Sequence, residues 1–169
     1  MPTTTALLII DAQEGYFNGK ATFLAQPEPL FNINNAQENL LKVVHQARKL
    51  GYPIIFIKHE GLELGEIHES LLPLEPQDKV IWKAEPSSFF NTNLHELLQS
   101  TNSSKLILVG YQTDVCIKST AEDALKLHYS VTVVEDAVAA QTEERHLEAL
   151  RNMDITIARM NVGSDLAVA

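Results

Sequence analysis

Cys116 is the only thiol in 169 residues, and it stands where an apolar run gives way to a helical pattern. Leu106-Ile107-Leu108-Val109 reads as a buried strand, Gly110 to Asp114 as a short turn, and Ile117 to Leu125 as a helix. At such a handover, free backbone N–H groups and the positive helix end favour a thiolate. The ordinary alternative is a small buried hydrophobe, since free cysteines are among the most buried residues. Asp11 closes another apolar run, Ala6 to Ile10, and Lys83 follows Val80-Ile81-Trp82. Together these three groups could perform acyl transfer. A thiol with an ordinary pKa of about 8.5 is mostly protonated at neutral pH, and a nearby ammonium favours its anion. A carboxylate beside it can accept the thiol proton and deliver it to a leaving amine. Desolvation at a strand end would raise Asp11 toward that task, and backbone N–H groups around Cys116 could cradle an oxyanion. The implied reaction is hydrolysis of an amide or a related bond. Taken singly, Asp11 reads as a cap or loop residue and Lys83 as a surface charge, and periodicity does not bring the three together.

The elements that must position them recur along the chain. Continuous β-branched runs at Ala6 to Ile10, Pro53 to Ile57, Leu106 to Val109 and Val131 to Val134 suit parallel strands covered on both faces. Lys79 to Trp82 and Ile155 to Ile157 are shorter strands of the same type. Helical periods lie between them: Ala36, Leu40, Val44 and Ala47 line one face of a helix that Gly51 ends. Thr92 caps a helix through Leu94, Leu97 and Leu98; Ala121, Ala124, Leu125 and His128 share a face; Thr142 opens a helix carrying His146 and Leu150. Strands alternating with helices predict an α/β fold, a three-layer α-β-α sandwich around a mostly parallel, Rossmann-like sheet. Ligands there sit beyond the carboxyl ends of strands, near a switch point in strand order.

Length predicts a single domain over residues 1–169, with a core needing no staple. A lone cysteine forms no internal disulfide, the N-terminus lacks a signal pattern, and no apolar stretch approaches the roughly 20 residues of a membrane span, so a cytoplasmic protein is expected. A net charge of −9 argues against nucleic acid, which needs a basic patch.

Several motifs in order resemble the isochorismatase-like cysteine hydrolase superfamily, which includes nicotinamidases, N-carbamoylsarcosine amidase, isochorismatases and ureidoacrylate amidohydrolases. They are Leu7 to Gln13, Lys83 to Thr92, Leu108 to Cys116, Val133 to Ala137, and His146. The resemblance spans about residues 6 to 158 and implies a catalytic triad of Asp11 as proton shuttle, Lys83 as charge stabiliser and Cys116 as nucleophile. It also implies a non-proline cis peptide between Tyr111 and Gln112, with the Gln112 and Cys116 N–H groups forming an oxyanion hole. The function expected is hydrolysis of a small amide or ureido compound; hydrolysis of a vinyl ether such as isochorismate, or a non-catalytic binding module, are the alternatives.

The substrate pocket is expected from Gln13, Phe17, Trp82, Phe89, Tyr111 and His59, with Phe56 and Phe90 in the core. Nicotinamidases of the family hold a divalent metal through an Asp and two His. Here His59 and His68 stand nine apart without a clear Asp partner, so no metal and no cofactor is expected. The polar stretch Glu60 to Gln77 reads as a loop over the site or an oligomer contact, and the resemblance implies a homodimer or larger homo-oligomer.

Overall fold

The computed structural model describes residues 3–19, 21 and 29–160, and the backbone of 167 and 168. A seven-stranded sheet runs through it in the order β3-β2-β1-β4-β5-β6-β7. The strands are β1 (Thr4–Ile10), β2 (Ile54–His59), β3 (Lys79–Lys83), β4 (Ser103–Tyr111), β5 (Ser130–Ala139), β6 (Thr156–Arg159) and β7 (Ala167–Val168). The first six pair in parallel and β7 joins β6 antiparallel. The helices are α1 (Ile33–Lys49), α2 (Leu94–Ser100), α3 (Lys118–Lys126) and α4 (Glu143–Arg151).

Period-two alternation divides the core. Leu7, Ile9, Ile54, Phe56, Ile107 and Val109 pack with α1 residues Ala36, Leu40 and Val43. Leu8, Ile10, Ile55, Ile57, Leu106 and Leu108 face the other way, onto Leu94, Leu98, Ala121 and Ala124 of α2 and α3. Both faces of β1 are therefore dry, which is why its sequence is continuously apolar. Strand order reverses between β1 and β4, and that switch point lies beside Asp11 and Cys116.

Helix boundaries follow local chemistry. Gly51 takes φ 70 after α1, while Tyr52 N donates to Ala47 O at 3.0 Å, tying off the helix end. The Thr142 hydroxyl accepts from Arg145 N and caps α4. Asn93, not Thr92, is the cap residue of α2; Thr92 Oγ1 accepts from Leu94 N at 3.3 Å and donates to Ser88 O at 2.6 Å. His128 is not on the buried face of α3: it lies past the helix end with φ 68 and is exposed. Phe56 is core, but Phe90 is 54% exposed, so the second of the two expected core phenylalanines lies on the surface.

Gly110 is where β4 comes closest to β1. It has φ 118, and a Cβ there would sit 2.0 Å from Ile10 O. Gly110→Ala is expected to cost roughly 2–3 kcal/mol, because both the left-handed backbone and the overlap resist a side chain. A shift of the urea midpoint measures it, and an unchanged midpoint would mean β4 can move away from β1.

Candidate active site

Asp11, Lys83 and Cys116 arrive at one point from three elements. Asp11 is the first residue beyond β1; its φ of 53 bends the chain out of the strand while its amide stays bonded to Ile57 O at 3.0 Å. Lys83 ends β3 on the face shared with Ile81, turned inward and 2% exposed. Its Nζ lies 3.2 Å from Asp11 Oδ2, with neither side chain exposed, and donates to Glu85 O at 3.1 Å and Pro86 O at 2.8 Å. Those carbonyls hold the ammonium in place without discharging it.

Cys116 is 6% exposed and sits in a π-helical turn, Thr113–Ile117, between β4 and α3. The peptide between Tyr111 and Gln112 is cis. Gln112 O accepts from Val115 N at 3.2 Å and Ile117 N at 3.1 Å, which closes the turn. Burial pushes the Asp11 carboxyl up from its ordinary value, against the pull of Lys83, the Cys116 thiol and His59. Burial also pushes the Cys116 thiol up, with Asp11 adding to the rise and Lys83 opposing it. The sequence reading of a thiolate stabilised at a helix start is thus corrected: desolvation outweighs both the ammonium and the turn, and the resting sulfur keeps its proton. The buried carboxyl is held by the Lys83 ammonium at 3.2 Å and by the Cys116 thiol.

The residues expected to line a pocket divide. His59 ends β2 beside Asp11, 6% exposed, and in its charged form lowers the Asp11 carboxyl. Its Nδ1 lies 2.8 Å from Glu60 O, an acceptor only, so Nδ1 carries hydrogen and donates to that carbonyl. Gln13 is fully buried and acts as a clamp: its amide donates to His59 O and Gly65 O and accepts from His59 N at 2.8 Å. With these bonds made, Gln13 fastens the 60–67 loop to β2 instead of facing substrate. Gly15 packs against that loop, where a Cβ would lie 2.5 Å from Leu64 Cα.

Trp82 is turned away from Lys83 and Asp11 by strand alternation, and it lies 50% exposed with Lys58 Nζ 4.2 Å from its ring centre. Phe89 packs its ring on Tyr129 at 5.8 Å, within the layer of α2 and α3. Tyr111 is fully buried and donates its hydroxyl to Gln37 Oε1 at 2.7 Å, making it core. Phe17 is partly buried against the Tyr111 and His68 rings. His68 pairs with Ser70 and Glu14, and among the described residues no three His, Cys, Asp or Glu groups are placed to hold a metal ion.

Tyr16 is the residue missed from sequence. The 3-10 turn Glu14–Tyr16 rotates it inward to 3% exposure, and its hydroxyl interacts with the Gln112 side chain, with the charge of Asp11, and with that of Cys116 whenever the thiol ionises. Burial and those charges hold the phenol well above its ordinary range, and so neutral. Its place five residues after Asp11 was the available signal, but the adjacent Phe17 competed for it.

His146 of α4 lies against the turn that carries Cys116. Burial lowers it from its ordinary 6.5, against Glu135, Glu143 and Asp114, whose charges raise it. A depressed group contributes stability above its unfolded value that is lost as pH falls through the folded one. Thermal stability should therefore decline with acid below about pH 6.5, and less steeply in His146→Leu; parallel melting curves across that range would contradict this.

Comparison with known proteins places the chain. The isochorismatase domain model matches residues 5–162. An uncharacterized isochorismatase family protein of Bacillus subtilis is 40% identical over 82% of this chain and 79% of its own length. A protein of Arabidopsis thaliana named "probable inactive nicotinamidase" is 32% identical, covering 88% of this chain and 87% of its own. The crystal structure of N-carbamoylsarcosine amidase from Thermoplasma acidophilum superposes with a TM-score of 0.79 at 26% identity, covering 94% and 98% of the two chains. The chain belongs to the isochorismatase family. No described helix is long and apolar enough to cross a membrane.

Proposed function

We propose that this protein is a cysteine hydrolase that cleaves a small amide or ureido compound through a thioester on Cys116. Asp11 takes the thiol proton as sulfur attacks the carbonyl carbon. Lys83 and the N–H groups of Gln112 and Cys116 stabilise the oxyanion. The carbon–nitrogen bond breaks, the departing amine takes the proton from Asp11, and water, deprotonated by Asp11, then hydrolyses the thioester. The observation that carries this reading is the Asp11–Lys83 ion pair at 3.2 Å, fully buried, beside a thiol whose proton that carboxyl can accept. The amidase named among the structural relatives fits the same substrate class. A single domain, a homo-oligomer and a cytoplasmic setting without cofactor complete the proposal.

The test is ammonia release from a panel of small primary amides, N-carbamoyl compounds and nicotinamide, with wild type and Cys116→Ala in parallel. Ammonia that requires Cys116 supports the proposal. Release that persists in Cys116→Ala, or cleavage of vinyl ethers alone, overturns it.

A further inference from the structure

Thr113 begins the turn that carries Cys116, and its side chain is completely buried. Its Oγ1 lies 2.8 Å from Nδ1 of His146, one turn into α4. The main chain of Glu135 on β5 lies beside the imidazole and favours its protonated form. With the ring's hydrogen turned toward the Glu135 carbonyl, which can only accept, Nδ1 accepts from the Thr113 hydroxyl. One neutral ring thereby joins β5 to the turn of the nucleophile.

The β5 segment at the other end of this bridge is itself anchored. Register with β4 passes from Leu108↔Val133 to Gly110↔Val138, so residues 134–137 of β5 bulge out of the ladder. Asn39 Nδ2 of α1 donates to Asp136 O at 2.9 Å, and Met160 N donates to both Asp136 carboxylate oxygens at 2.9 and 3.0 Å. Helix α1 and the end of β6 thus hold the bulge, and His146 transmits that fixed position to Thr113. Beyond His146 an open cleft of about 370 Å³ separates the N-termini of α1 and α4, lined by Asn32, Asn35, Glu143 and Arg159 among others. None of Asp11, Lys83 and Cys116 borders it, so the ring has open space on one side and the nucleophile turn on the other.

We propose that His146, through the Thr113 hydroxyl, is a positioning residue that sets where the turn places the sulfur and the amides near it. It touches no reacting atom. Its catalytic effect rests on the hydrolase reading, while its effect on the thiol does not, and that separates the two. Removing the hydroxyl with near-identical shape, in Thr113→Val, frees the turn. The kcat is expected to fall about tenfold with KM within about twofold, as for a misplaced reacting group.

The substrate-independent arm is the rate of Cys116 alkylation by iodoacetamide against pH, on protein shown folded by its melting transition. Thr113→Val and His146→Leu are expected to label about threefold faster than wild type, because a looser turn exposes a thiol now 6% accessible. Thr113→Ser, which keeps the hydroxyl, should return to the wild-type profile. Labelling curves in Thr113→Val that overlay wild type overturn the inference whether or not a substrate is found, as does a Thr113→Ser profile no closer to wild type than Thr113→Val. If wild type releases ammonia from nothing in the panel, the hydrolase reading fails while the labelling arm still decides the role of His146.

Discussion

Cys116→Ala should lower turnover by at least about a thousandfold while the protein stays folded. The activity loss is large because the thioester route has no other nucleophile: the chain has a single cysteine. The fold survives because the change removes one sulfur from the layer between the sheet and α3, a small cavity costing about 1 kcal/mol. Asp11 responds as well. Its carboxyl loses the thiol contact that lowers it, so its proton affinity rises further. Ammonia release measures the first effect and a urea melt the second. A variant that is inactive because it is unfolded would say nothing about the nucleophile, so both readouts are needed from one preparation.

Lys83→Met is the second large effect, and it acts on chemistry and stability together. Methionine fills the space, but Asp11 and the Glu85 and Pro86 carbonyls lose the ammonium they share. Breaking a buried pair on one side costs about 3–5 kcal/mol when the remaining charge stays ionised. Asp11 escapes part of that cost by taking a proton, since burial already raises it, so about 2–3 kcal/mol is expected. The thiol loses the one charge that lowers its pKa, and alkylation at neutral pH should slow. With both the oxyanion's cation and a charged Asp11 diminished, kcat/KM should fall by about two orders of magnitude or more. Alkylation rates against pH check the electrostatic part. A profile unchanged from wild type would show that Lys83 does not act on the sulfur.

The layering was legible because burial on both faces makes a strand continuously apolar, as in Ala6 to Ile10 and Leu106 to Val109. Motif order then placed Asp11, Lys83 and Cys116 at strand ends, and the parallel order puts those ends on one edge of the sheet. What proximity in sequence does not reveal is which face a neighbour takes. Trp82 adjoins Lys83 but alternation sends it to the opposite side, where Lys58 meets it. Gln13 follows Asp11 by two, yet its partners His59 and Gly65 come from the end of β2 and the loop after it, some fifty residues on, and only the fold supplies that register. Tyr16 and Phe17 differ in role because a 3-10 turn rotates one in and leaves the other against His68. Thr113 and His146 are 33 residues apart, and a threonine in a loop carries no signal that its hydroxyl is spoken for. The state of the sulfur was also beyond the sequence, since it depends on how completely the site is dried.

The most direct measurement is the intact mass of the protein after acid quench during turnover of whichever amide or carbamoyl compound releases ammonia. A buried carboxyl, ammonium and thiol working as one centre should leave the acyl or carbamoyl group of that compound on Cys116, with ammonia released in equal amount. Ammonia released while the protein mass never changes, at a rate that Cys116→Ala matches, would contradict it.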